Sequence, residues 1–383
     1  MRRVLLIAGE ASGDLHGSLL ARALLERQPD LELHGVGGQR MAEAGVRLFL
    51  RSEDLAVVGV MEVLAHARKV LSALRTVRAR MEQLRPDLLI PIDYPDFNLR
   101  LLPAARRLGV PVVYYISPQV WAWRQGRVRL LQRHVRRMIV IFPFEESFYR
   151  SHGVEVCWVG HPLVDVVSPA EEPFRERARL GLPAGDQALG LLPGSRRSEI
   201  RRIAPVLAAA ADALDARRAA AGLPPILRIV GQAPGITAAD LAPLLERSPR
   251  PALLVGLDAL RAADYSIVAS GTVTLEATLL GRPVAVVYRM HPATFALVRR
   301  LVKVEHIAMA NLIAGRRLVP EFVQGEARPE AVASAVWEML GDAERLEMVR
   351  QAMLENRARL GEPGAAGRAA EEILRILHGA RPG

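Results

Sequence analysis

The chain alternates short apolar runs with longer stretches in which apolar residues return every three or four positions. In the first half the runs are Val4 to Ala8, Leu31 to Val36, Asp87 to Ile92, Val110 to Ile116, Met138 to Phe142 and Val154 to Val159. They are apolar at consecutive positions rather than at every second one, which predicts parallel strands covered by helices on both faces. The pattern lapses at Ser168-Pro169-Ala170-Glu171-Glu172-Pro173 and Gly181-Leu182-Pro183-Ala184-Gly185, both rich in turn formers, and then starts afresh. The second series places strands at Ala188 to Leu192, Ile226 to Val230, Ala252 to Leu257, Tyr265 to Ala269 and Pro283 to Tyr288, with an Ala-rich helix from Ile200 to Ala220. From Pro329 onward only helical periodicity remains, broken at Gly361-Glu362-Pro363-Gly364 and ending in an amphipathic stretch up to Leu377. The expected fold class is α/β. Two Rossmann-like, doubly wound domains cover 1–168 and 169–345, and C-terminal helices over 346–383 cross back to the first.

Composition narrows this further. A chain of 383 residues, half of them hydrophobic, has enough apolar mass for two cores. The single cysteine, Cys157, excludes an internal disulfide framework, and no paired Cys/His spacing of the zinc kind occurs, so a reducing, cytoplasmic setting is expected. The apolar run at Val4 to Ala8 is too short for a signal-peptide core, and no run approaches the roughly 18 residues of a membrane span, so membrane contact would be peripheral. The net charge is +10, and Lys69 and Lys303 are the only lysines, so nearly all the positive charge is arginine. That implies anionic partners, phosphate among them, without identifying one, and a broad coding bias gives the same composition.

Open parallel sheets bind ligands beyond the carboxyl ends of their strands, so the informative positions are those where an apolar run gives way to Gly, Ser or a charge. Gly9-Glu10-Ala11-Ser12-Gly13-Asp14 follows the first run. It is not a GxGxxG fingerprint, and its two carboxylates repel phosphate, so it suits a hydroxyl-rich sugar or is an ordinary capped turn. Pro91-Ile92-Asp93-Tyr94-Pro95-Asp96-Phe97-Asn98 ends a later strand. Asp93 or Asp96 there could act as general base toward a sugar hydroxyl or cap the turn, and the pattern does not separate the two. Gly190-Leu191-Leu192-Pro193-Gly194-Ser195-Arg196-Arg197-Ser198-Glu199 is a strand, a Gly-Ser turn and a helix start suited to a diphosphate, without the Lys or spacing of a Walker A loop. Ala269-Ser270-Gly271-Thr272-Val273-Thr274-Leu275-Glu276 repeats that plan. Glu276, one turn in, could accept hydrogen bonds from a ribose diol or lie on the surface in an i,i+4 pair. Asn311, one of three asparagines, opens a turn in Ala310-Asn311-Leu312-Ile313-Ala314-Gly315-Arg316.

Two further patterns have competing readings. Val60, Val63, Leu64, Ala67, Val70, Leu71 and Leu74 share one helical face flanked by Arg68, Lys69 and Arg75, as either a core face or a membrane-surface helix does. Trp121-Ala122-Trp123-Arg124, followed by Arg127, Arg129, Arg133, Arg136 and Arg137, interleaves aromatics with arginine, but no RNA- or DNA-binding signature accompanies it and no nucleic-acid partner is expected.

In this order GEASGD, IDYPDFN, Ser117-Pro118-Gln119-Val120-Trp121-Ala122-Trp123-Arg124, Gly160-His161-Pro162, LLPGSR, SGTVTLE and NLIAGR make the chain resemble the lipid A disaccharide synthases, from the N-terminal turn to beyond Arg316. The resemblance implies the GT-B architecture of two facing Rossmann-like lobes, with the donor nucleotide on the second and the acceptor mainly on the first. It implies an inverting transfer that joins UDP-2,3-diacylglucosamine to 2,3-diacylglucosamine 1-phosphate, giving the β(1→6) disaccharide 1-phosphate and UDP. Carried over residue by residue, Asp93 would be the general base, and Glu10 and Ser12 would order the reacting sugars. Gly194, Ser195, Arg196, Ser270, Gly271, Thr272, Glu276 and Asn311 would serve the UDP. No cofactor and no metal would be required, because Arg196 and helix N-termini can stabilise the departing diphosphate. The diacylated substrates imply peripheral contact with the inner face of the inner membrane through Val60, Met61, Val63, Leu64, Val70 and Leu71, and leave room for a homodimer. Two rivals stay open: another GT-B UDP-sugar enzyme, such as a UDP-N-acetylglucosamine 2-epimerase or a different UDP-sugar transferase, and a non-catalytic binder of membranes or polyanions.

Overall fold

The computed structural model describes residues 2–52, 63–122, 125–292, 295 and 305–379, without the side chains of 63–67. The chain forms two compact units, Met1–Asp165 with Leu360–Gly383, and Val166–Arg359.

The first unit is built on seven parallel strands: β1 (Arg3–Ala8), β2 (Glu32–Gly37), β3 (Arg47–Arg51), β4 (Leu88–Ile92), β5 (Val113–Tyr115), β6 (Arg137–Val140) and β7 (Val156–Trp158). Their order is β3-β2-β1-β4-β5-β6-β7. Val4 to Ala8 and all of β4 are buried, because each residue faces one helical layer or the other, and this is why the runs are apolar at every position. The C-terminal helix Ala365–Leu377 packs on the Ala11–Arg27 helix of this unit. A buried ion pair of 2.6 Å, with side chains only 5% and 6% exposed, joins Arg137 on β6 to Glu372 on that helix.

The second unit carries six parallel strands, β8 (Ala188–Leu192), β9 (Leu227–Gln232), β10 (Pro251–Val255), β11 (Tyr265–Ala269), β12 (Val284–Tyr288) and β13 (Glu321–Val323), in the order β10-β9-β8-β11-β12-β13. The Arg197–Ala220 helix buries Ile200, Ile203, Leu207 and Leu214 in its core.

In both sheets the order reverses once, between β1 and β4 and between β8 and β11, and such reversals open a crevice beyond the strand ends. GEASGD and IDYPDFN follow the two strands bordering the first reversal; LLPGSR and SGTVTLE follow those bordering the second.

Four features differ from the sequence reading. The edge strands β3 and β13 were not foreseen, since both are short and only partly covered, and lack the fully apolar run that marks a central strand. The chain leaves the first unit after Asp165 rather than 168. It returns at Leu360 rather than 346, because the Ala343–Arg359 helix packs on the Thr272–Leu280, Met309–Ala314 and Pro329–Leu340 helices of the second unit. The stripe assigned to membrane contact is in part a core face. In the Val63–Leu84 helix, Val70 packs against the first core, in line with the buried Ala73, Leu74, Val77 and Met81, while Leu71 is 47% exposed. Val60 and Met61 lie outside the described residues, as do the side chains of Val63 and Leu64.

Candidate active site

At the tip of β1, Glu10 is the extended residue preceding the Ala11–Arg27 helix and is exposed, with Ser12 half-buried in the first turn. Gly9 is glycine for a spatial reason: a Cβ there would fall 2.2 Å from the ring of Tyr94, so the turn after β4 closes directly on the turn after β1. Asp14, the second carboxylate of the motif, is a structural group. It accepts N–H bonds from Gly38 (2.7 Å), Met41 (3.0 Å) and Arg40 (3.1 Å) and caps the Gln39–Glu43 helix.

At the tip of β4, Asp93 and Tyr94 both have left-handed backbones, with φ of 45° and 49°. Pro95 disfavours a right-handed helical conformation for Tyr94. The Asp93 carbonyl accepts two hydrogen bonds of 2.7 Å, from Asn98 Nδ2 and Tyr114 Oη, and its N–H donates to the Tyr115 carbonyl at 3.1 Å. The Asp93 side chain is half-buried, and burial first, then the charge of Glu10, push its carboxyl up to about 6. Asp96 is different in kind: it is exposed and paired with Arg127 at 2.6 Å. A carboxylate held for proton transfer needs burial and a shifted affinity, and Asp93 has both.

The neighbouring Ser117–Trp121 turn is fixed from below. Glu145, buried at the start of the Pro143–Ser151 helix, accepts bonds from Ser117 Oγ (2.6 Å), Trp121 Nε1 (3.0 Å) and the N–H groups of Phe142 (3.1 Å) and Ile141 (3.3 Å). Burial pushes its carboxyl up to about 7 against the pull of those donors. The GHP motif contributes His161, whose ring lies edge-on to His16 at 6.0 Å. Burial holds His16 down at about 4 and His161 well below the usual imidazole range, so both are neutral. Leu163 N–H donates to His161 Nδ1, which puts the proton of neutral His161 on Nε2.

In the second unit Gly194 has φ of 118°, and Ser195 and Arg196 are exposed at the start of the Arg197–Ala220 helix, Arg196 reaching Glu199 at 3.2 Å. Gly271 and Thr272 are exposed where the Thr272–Leu280 helix starts, beside half-buried Ser270, whose hydroxyl donates to the Ile307 carbonyl. Glu276 is half-buried, its carboxyl pushed up by burial, with no hydrogen-bond or ion-pair partner among the described residues. Asn311 does not fit the role of direct UDP ligand. It is 0% exposed, and its amide is fully used: Nδ2 donates to the Val319 carbonyl (2.9 Å) and Glu321 Oε1 (2.7 Å), and Oδ1 accepts from Leu318 and Val319 N–H (2.7 and 2.8 Å). With Glu321, which also accepts the N–H groups of Ile307 and Ala308, it shapes the 307–311 segment beside Ser270.

Glu10, Ser12 and Asp93 thus gather at one crevice, and Gly194 to Arg196 with Ser270 to Glu276 at the other. Sequence reasoning missed Tyr114, Glu145 and the role of Asn98. A tyrosine in a fully apolar strand needs a partner for its hydroxyl, and that was the available signal for Tyr114. Among the described residues no group of three His, Cys, Asp or Glu side chains is placed to hold a metal ion.

A model of the lipid-A-disaccharide synthetase family matches residues 4–376. The chain belongs to that family. It is 43% identical over 378 residues to the lipid-A-disaccharide synthase of Geobacter sulfurreducens, covering 98% of this chain and 97% of that protein. It is 44% identical over 379 residues to the enzyme of the same name from Myxococcus xanthus, with the same coverage. Among solved structures, it is similar to the UDP-GlcNAc 2-epimerase of Neisseria meningitidis bound to UDP-GlcNAc (TM-score 0.63, 13% identity, covering 97% of this chain and all of that one). It is also similar to MurG of Acinetobacter baumannii (TM-score 0.56, 16% identity, covering 98% of this chain and all of that one). At such identities these likenesses show the GT-B fold alone, so the epimerase reading has fold support only, whereas the synthetase family is matched over nearly the whole chain.

Proposed function

We propose that this UDP-sugar glycosyltransferase of lipid A disaccharide synthesis joins UDP-2,3-diacylglucosamine to 2,3-diacylglucosamine 1-phosphate, with Asp93 as the general base. The observation that carries the assignment is the half-buried Asp93, with its raised proton affinity, at the first strand-order reversal. Asp93 takes the proton of the acceptor 6-hydroxyl as the oxygen attacks the anomeric carbon, and UDP leaves from the opposite face. Glu10 and Ser12 order the sugars. The donor is held by the second unit, where the Arg197–Ala220 helix start with Ser195 and Arg196 takes the diphosphate and Glu276 takes the ribose diol. Positive backbone and side-chain groups there stabilise the leaving UDP, so no metal is required.

Mass spectrometry of the protein with both substrates tests this: disaccharide 1-phosphate forms, and Asp93→Asn retains UDP binding while turnover falls by about 10²–10⁴-fold. Near-normal turnover in that variant removes Asp93 from the role.

The acyl chains keep both substrates in a membrane, and no helix among the described residues is long and apolar enough to cross one. We place the protein at the inner face of the inner membrane as a peripheral enzyme. Arg68, Lys69, Leu71 and Arg75 are exposed on one helix, and the chain carries a net charge of +10. Co-sedimentation with anionic vesicles should weaken several-fold as salt rises and be absent with neutral vesicles; equal binding to both would rule out charge as the attraction.

A further inference from the structure

We propose that Asn98 and Tyr114 are positioning residues for the transfer, gripping the Asp93 backbone so that its carboxylate stays beside Glu10 at the strand tip. The proposal rests on the assignment of Asp93 as the base.

Two successive non-glycine residues with left-handed backbones, Asp93 and Tyr94, are rarely adopted and cost energy at each position. Such a conformation persists only where the surroundings over-determine it. Here they do so through one side chain of the short Pro95–Asn98 helix and one of β5. Asn98 is 0% exposed, and its Nδ2 donates to the Asp93 carbonyl at 2.7 Å while also reaching the carbonyls of Ile7 (3.4 Å) and Ile92 (3.3 Å), near the ends of β1 and β4. Tyr114, also 0% exposed, donates from β5 to the same Asp93 carbonyl at 2.7 Å. One carbonyl therefore takes two side-chain donors, and the strands bordering the crevice are tied to the residue that stands over it.

A relaxed backbone at Asp93 would let the side chain swing out toward water. The base would then lose both its register with the acceptor hydroxyl and the burial that tunes it. Neither Asn98 nor Tyr114 needs to touch substrate for this. Their effect passes through Asp93, which separates positioning from general stability.

A double-mutant cycle reads that distinction. Tyr114→Phe removes one hydroxyl and keeps the ring in the core. At saturating substrates it should lower turnover about 10–100-fold, in line with the cost of a misplaced catalytic group. UDP affinity should stay within about twofold, and the acid limb of kcat/KM should move down from about 6 toward the ordinary carboxylate range as Asp93 becomes solvated away from Glu10. In the Asp93→Asn background the same substitution should change turnover less than about twofold. Asn98→Ser, read in the same cycle, serves should Tyr114→Phe fail to fold. If both substitutions leave turnover and the acid limb unchanged, or lower turnover by the same factor with and without Asp93, the positioning role is overturned. Near-normal turnover of Asp93→Asn alone removes the base assignment and this proposal with it, whereas a normal Tyr114→Phe beside an inactive Asp93→Asn removes only the grip.

Discussion

Asp93 is ionised at neutral pH in a place that favours its protonated form. Burial and Glu10 raise its proton affinity to about 6, above the ordinary carboxylate value of the unfolded chain. The sign of the linkage follows. Between those two values the folded state holds the proton more tightly than the unfolded one, so the contribution of Asp93 to stability falls as pH rises through this window and is constant above it. Asp93→Asn should therefore stabilise the protein by about 2 kcal/mol at pH 8 and by little at pH 4, while losing turnover. Urea unfolding of both proteins at the two pH values measures this, and equal differences at both would contradict a strained, buried base. The residue scale is also where the sequence was most ambiguous. Asp93 and Asp96 are both carboxylates in one turn, and what separates them is tertiary: Arg127 pairs with one, and Asn98 and Tyr114 hold the backbone of the other.

Elements were legible where one physical signal dominated. Central strands such as β1 and β4 read directly from their apolar runs, because both faces are covered. β3 and β13 did not, since an edge strand can be short and half-polar without cost. The face of the Val63–Leu84 helix carries one periodicity whether it meets a core or a membrane, and only packing shows that Val70 belongs to the core side. Asn311 was found as unusual, but a polar residue that organises a loop and one that binds a ligand look alike in sequence. The end of the chain shows the same limit. Helical periodicity after Pro329 predicted a return to the first domain, while the point of return depends on which helix packs where. The Ala365–Leu377 helix docks through the buried pair of Glu372 with Arg137, and Arg137 has a second, longer bond to exposed Glu155. Glu372→Ala leaves a buried guanidinium short of its partner and should cost about 3 kcal/mol, whereas joint replacement by Arg137→Met and Glu372→Leu should cost less than the single change. Denaturant midpoints for the three proteins decide it, and a double variant less stable than Glu372→Ala would show that the pair adds net stability.

At the scale of the whole molecule, the two units share one structural plan, a parallel sheet whose strand order reverses once, and in the proposed reaction each would serve one substrate. The motifs after β1 and β4 are acidic, with Glu10 and Asp93, and that chemistry repels a diphosphate and suits the loss of a proton from a hydroxyl. The motifs after β8 and β11 supply a long helix start, Arg196 and Glu276, a carboxylate without a partner among the described residues, a set suited to phosphate and a diol. In the proposed reaction this division gives the proton acceptor and the diphosphate site each a unit of its own. It also makes the location of UDP a sharp test, because a nucleotide alone should read only one half of the molecule. Hydrogen exchange of the intact protein with saturating UDP should slow at 193–200 and 270–280, and at 307–311, which Asn311 and Glu321 hold beside Ser270. Asp93→Asn should keep this protection, and Glu276→Ala should weaken UDP binding by about 10-fold or more, as expected for loss of a charge-assisted hydrogen bond to the ribose. Protection at Gly9 to Asp14 with none at 193–200 would place the nucleotide on the acidic half and reverse the assignment of the two units.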